Sequence, residues 1–142
     1  MEIKIRQAAK EDGKYIATHI REVDKREIWA SSRSTPTAAI QIFLAQKECY
    51  CALIDDIPAI IFGCAGGVLG LLATDDINKI SVRFVRGSKV YIQKWLAQYG
   101  YLFNFVHAYN KVSIKWLKWL GFTIGDMYIF NEEPFYKFEQ KR

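Results

Sequence analysis

The chain has 142 residues, 51% of them hydrophobic, and a formal net charge of +5. That length and apolar fraction imply one domain over residues 1–142 with a proper core, and nothing in the sequence suggests a second. The charge is mild and spread along the chain, so it suits a small anionic ligand such as a nucleotide and does not argue for nucleic acid.

The longest apolar run, Ile57 to Ala73, contains Pro58 and four glycines. It reads as paired buried strands and not as a membrane span, and the opening MEIKIRQ has no signal-peptide core. A soluble intracellular protein without a membrane partner is the expectation. Cys49, Cys51 and Cys64 read as buried free thiols, with no metal site, because His19 and His107 lie far from them in sequence.

Residues 2–6 alternate through Ile3 and Ile5, which predicts a half-buried first strand. Tyr15, Ile16, His19, Ile20 and Val23 fall on one stripe of an amphipathic helix, with Lys14, Thr18, Arg21 and Glu22 off it. His19, at the border of that stripe, reads as structural. Asp24 to Ser31 is a second, shorter helical piece, in which Trp29 is either a core anchor or a substrate platform. Thr35-Pro36 starts a third helix, running to about Lys47, with Thr35 as cap and Pro36 at the first helical position.

Two strands follow, residues 48–54 and 57–66, joined by Asp55-Asp56 without the glycine that a type I′ turn prefers. A third strand spans residues 68–73. From Ser81 to Tyr99 the positions Val82, Val85, Ile92, Leu96 and Tyr99 predict one long helix, weakened by Gly87 and ended by Gly100. Tyr101 to Ala108 reads as a strand. Asn110 to Phe122 reads as a helix stopped by Gly121, a residue able to take the left-handed conformation. Residues 123–128 and 135–138 are closing strands.

This order predicts an α/β (α+β) fold with a mixed sheet, and it resembles the GNAT N-acetyltransferases. Motif similarity is confined to short stretches: Ile5-Arg6-Gln7-Ala8 with Asp12 near the start, and the segment Asn110, Ser113, Ile114, Gly121, Phe122, which is similar to the family's second acetyl-CoA segment. Further stretches resemble a small phage family of GNAT-like or internal virion proteins of short-tailed phages. They are Ile20-Arg21 with Asp24, Glu27 and Trp29-Ala30-Ser31; Leu72 to Asp75; and Arg83 to Arg86 with Ser88, continuing into Asn110 to Phe122.

The resemblance implies acetyl-CoA as cofactor and an amine as acceptor. Pantetheine would lie between the strands 68–73 and 101–108, against Leu72 and Ala73. Phosphates would lie at Arg83, Arg86, Gly87, Ser88 and Lys89, and the adenosine side near Asn110 and Ser113. Asp24 and Glu27, three apart on one helix face, would draw a cationic amine on the acceptor side. They and Ser113 are the catalytic candidates.

Two departures bear on that reading. Arg86-Gly87-Ser88-Lys89 keeps only one glycine of the family's phosphate loop, and an ordinary solvated basic helix face is the competing reading. The position where many GNATs carry a general-acid tyrosine is Leu117, leaving Ser113, Tyr109 or water as substitutes. A catalytically silent, virion-associated GNAT scaffold is therefore a second expectation, and a tRNA-modifying toxin a weaker third. As a phage protein the chain would act in the host cytoplasm, with a phage or host protein or a second copy of itself (a homodimer) as further partners.

Overall fold

A computed structural model of the chain describes residues 1–79 and 81–142, Ser81 by its backbone alone. The elements run β1 (Ile3–Gln7), α1 (Lys10–Thr18), α2 (Glu22–Ser32), α3 (Pro36–Ala45), β2 (Cys49–Ile54), β3 (Ile57–Ala65) and β4 (Val68–Ala73). A short 3₁₀ turn, Asp75–Lys79, leads to α4 (Ser81–Tyr99), followed by β5 (Tyr101–His107), α5 (Lys111–Trp119), β6 (Thr123–Phe130) and β7 (Glu133–Lys141).

The seven strands form one mixed sheet in the order β1-β2-β3-β4-β5-β7-β6. All neighbours are antiparallel except β4 and β5, which are parallel. Helices α4 and α5 cover one face around Phe84, Trp95, Leu102, Trp116 and Phe138. Helices α1 to α3 cover the other around Ile16, Ile28, Ile40, Ile61 and Leu72.

Local chemistry explains most boundaries. Thr35 caps α3 by accepting from the Ala38 N–H (3.2 Å), and Pro36 opens the helix. Both Asp55 and Asp56 adopt positive φ, +48° and +67°. The mirror turn forms without glycine because Asp55 is held locally, its Oδ1 accepting from the Glu2 N–H at 2.8 Å and its own N–H donating to Glu2 O. Gly121 has φ +97°, which ends the last turn of α5.

Several expected features are placed differently. The stripe from Tyr15 to Val23 is not one helix: α1 stops at Thr18, Ile20 bridges Thr74, and the Arg21 N–H donates to Ala73 O (2.9 Å). The chain is pinned to the end of β4 there, and sheet pairing prevails over helical periodicity. His19 is exposed and stacks on Tyr15, so it has no buried edge. Trp29 is 53% exposed with Arg33 over its ring, and is not a core anchor.

On α4 the buried residues are Phe84, Ser88, Ile92, Trp95 and Leu96, so Ile92 and Leu96 of the expected stripe face the core while Val82 is exposed. Gly87 does not break this helix. A Cβ there would lie 2.7 Å from Ile5 Cδ1, so the missing side chain lets α4 lie close on β1.

Candidate functional site

Strands β4 and β5 touch only at their beginnings. Their register is the single pair Val68 and Phe103, with the Phe103 N–H donating to Gly67 O at 3.0 Å. One residue further along β5, Asn104 bridges the strands by its side chain, Nδ2 donating to Leu69 O at 2.7 Å. Beyond that the strands part. A cavity of about 370 Å³ passes through the opening, lined by Leu69 to Leu72 of β4, Asn104 to Val106 of β5, and side chains from helices on both faces.

Strand geometry decides what lines the floor. Leu69 O turns toward Asn104, and the Ala73 N–H turns the same way to Asp24 Oδ2 (2.9 Å). Main-chain groups alternate along a strand, so Leu71, midway between them, aims its N–H and C=O into the same gap. The pairing of β4 with β5 ends before it, which leaves this amide facing the cavity. Leu72 has the opposite parity: its backbone faces Ile61 of β3, and its side chain is buried among α1 to α3. The Ala73 amide is taken by Asp24.

Four predicted residues meet at the edge of this cavity. Arg21 and Asp24 are buried and paired twice, Nε to Oδ2 at 2.9 Å and Nη2 to Oδ1 at 2.8 Å. Arg21 Nη2 also donates to Ser113 Oγ (3.2 Å), which ties α2 to α5. Burial pushes the Asp24 carboxyl up, and the Arg21 guanidinium and Ala73 N–H pull it back. Asp24 is thus committed to Arg21 and the β4 amide, and it does not present a free charge to an amine.

Glu27, one turn along α2, is different. Its Oε1 accepts from the His107 N–H (2.7 Å) and from Asn110 Nδ2 (3.2 Å). Its Oε2 has no protein partner among the described residues, and the residue lines the cavity. Desolvation and the nearby Asp24 charge raise its pKa to about 8, against the pull of those two hydrogen bonds and Arg21. Asn110 has two tasks: Nδ2 holds Glu27, and Oδ1 caps α5 by accepting from the Ser113 N–H (3.3 Å).

Behind Glu27 a second layer fixes its donors. The Tyr109 N–H donates to His107 Nδ1 (3.1 Å), so the ring proton lies on Nε2 and points at Glu133 Oε1 (2.7 Å). Glu133 also receives Arg26 Nε at 2.5 Å. Together His107 and Arg26 hold the Glu133 carboxyl below the usual carboxylate range. Leu71, His107 and Glu133 had no motif to mark them, and Arg21 stood in a quoted stretch without a role; only the alternation of β4 could have singled out Leu71.

The basic group on α4 does not converge. Arg83 donates to Met1 O (2.8 Å) on the β1 side, Gly87 packs on Ile5, and Arg86 and Lys89 are exposed. Ser88 alone of the five is buried and lines the cavity, its hydroxyl donating to Val85 O at 3.2 Å. Leu117 is buried on the cavity wall with Phe84 and Trp116, whose rings lie 5.3 Å apart.

No protein-family model matches the sequence, and no curated protein matches it. Solved structures do match in fold. The NatC complex bound to Gag peptide and CoA aligns at TM-score 0.74 and 17% identity, over 100% of this chain and 99% of that one. A GNAT-family acetyltransferase from Streptococcus pneumoniae aligns at TM-score 0.64 and 13% identity, over 99% of each chain. AAC(6′)-Ib in complex with ribostamycin and coenzyme A aligns at TM-score 0.64 and 16% identity, over 100% of this chain and 94% of that one. A mixed sheet parted between its two parallel strands, carried by the same element order, is the fold of the GNAT acetyltransferases.

Proposed function

We propose that the protein is an acetyl-CoA-dependent N-acetyltransferase whose acyl donor enters the opening between β4 and β5. One observation carries the reading: the strands separate after Val68 and Phe103, and the Leu71 main chain faces the space that results. Acetyl-CoA supplies an activated acyl group, and an enzyme working on it has chiefly to align amine and carbonyl. The residues present fit that task. The Leu71 N–H would hold the carbonyl oxygen as negative charge builds on it. Glu27 Oε2 would take the proton that the ammonium gives up. The Ser113 hydroxyl, accepting from Arg21, keeps its own hydrogen for the sulfur that leaves, where other GNATs use the tyrosine replaced here by Leu117.

For the phosphates, the amides of the first turn of α4 and the exposed Arg86 and Lys89 are the available positive groups. Asn110 and Ser113, expected on the adenosine side, are engaged with Glu27 and Arg21 at the reacting end instead. A free-thiol assay with acetyl-CoA and a mixed amine pool tests the reading: thiol release that depends on amine and falls in Glu27→Gln supports it. Absence of both turnover and acetyl-CoA binding at about a millimolar, where even weak ligands register, removes it.

A second reading keeps the fold and drops the chemistry: a virion-associated phage protein built on a silent GNAT scaffold. It is favoured by Leu117 at the acid position and by Gly87 lying inside α4, away from any phosphate loop. In that case the purified chain binds no acetyl-CoA and co-purifies with phage particles. The phage setting and host-cytoplasm location are proposed under either reading and are tested by that co-purification, and the homodimer by the mass of the purified chain in solution.

A further inference from the structure

The cavity has two chemically unlike halves. On the α2 and α3 side it is walled by Ile28, Phe43, Phe105, Phe130 and Phe135, and Glu27 is the only ionisable residue that lines it, among the described residues. Three of those aromatics form a continuous edge-to-face array: Phe105 on Phe130 at 5.1 Å and Phe130 on Phe135 at 5.2 Å. Phe43 enters from α3 above Gly70, where a Cβ would come within 2.5 Å of its ring. The strand is bare at that point, so the ring lies against the backbone and sets how much room remains. Asp24 adds no attraction because Arg21 occupies it.

We propose that this half selects a primary amine on one compact apolar body, with the nitrogen at Glu27 Oε2, the body among the five apolar side chains, and Phe43 setting its size. The inference rests on the acetyltransferase reading and names its acceptor class. A polycation is disfavoured by the same walls, since every ammonium after the first would leave water without a counter-charge. The chemistry has two sources, a free arylalkylamine or the apolar first residue of a peptide with a free N-terminus.

The test has a binding arm and a turnover arm. In the first, 2-phenylethylamine and spermidine are titrated into the full chain by calorimetry, without acetyl-CoA. Saturable binding of 2-phenylethylamine, at least about tenfold tighter than spermidine and lost in Phe43→Trp, is expected. In the second, kcat/KM is compared for 2-phenylethylamine, a peptide beginning with Phe, spermidine and ribostamycin. Either apolar amine should exceed both polycations by about tenfold or more, and the higher of the two identifies the source.

Phe43→Ala, a variant that does not overfill the site, should shift preference toward a naphthyl-sized amine while acetyl-CoA affinity stays put. Spermidine or ribostamycin matching the apolar amines in either arm, or an unchanged size preference in Phe43→Ala, overturns the proposal. If acetyl-CoA fails to bind, the activity reading falls, and the binding arm still decides which amine the cavity takes.

Discussion

At the scale of single residues, Glu27 and Asp24 show how two carboxylates one turn apart come to differ. Asp24 is saturated by a guanidinium and a main-chain amide, whereas Glu27 keeps one oxygen open to the cavity and is destabilised as an anion. With a pKa of about 8, Glu27 is mostly protonated at neutral pH, so a rate that needs its carboxylate should rise with pH through about 8. Glu27→Gln should lower kcat/KM by roughly 10²–10³ and flatten that limb of the pH profile.

Stability should respond with the opposite sign. Between the ordinary glutamate value and about 8 the folded state binds the extra proton, so Glu27 favours folding most at low pH and loses that contribution as pH rises to 8. Urea unfolding of wild type and Glu27→Gln across this range should show the wild-type stability alone sloping downward from this source. Asp24→Ala should cost about 3–5 kcal/mol in the same measurement, because it leaves Arg21 buried without its partner. The motifs in the chain single out both acids, but which one stays open depends on Arg21, Ala73 and Asp24 meeting across the end of β4, and no spacing in sequence encodes that.

At the scale of elements, boundaries were readable wherever a local signal sets them. The Thr35-Pro36 start, the strand over residues 68–73, the helix over 81–99 and the Gly121 stop all follow from capping, turn residues and periodicity. The failures came where tertiary pairing competes. Ile20 fits a helical stripe yet joins Thr74 in a bridge, and on α4 the core takes Val85, Ile92, Leu96 and Tyr99 of the proposed stripe, leaves Val82 exposed, and adds Phe84 and Trp95 against Phe62. Trp95 is completely buried, and its Nε1 donates to Glu48 Oε2 at 3.4 Å. Trp95→Ala should therefore cost about 3–5 kcal/mol in thermal or urea unfolding. Asn110→Ala should cost about 1 kcal/mol as a lost cap, and should also weaken the hold on Glu27.

At the scale of the whole molecule, the sheet is continuous by hydrogen bonding at one end of the β4–β5 junction and open at the other. The two layers of helices are thereby joined through a hole in the sheet. No helix among the described residues is long and apolar enough to cross a membrane. The sequence indicated which strands flank the opening, but its depth, and the turn of the Leu71 amide into it, arise from pairing that stops after a single residue pair. Difference density after soaking crystals in acetyl-CoA at a concentration that saturates calorimetric binding is the most direct measurement. The account predicts density between β4 and β5, with the thioester oxygen within hydrogen-bonding distance of the Leu71 N–H and the sulfur near Ser113. Density elsewhere on the molecule, or an opening still empty at saturation, contradicts it.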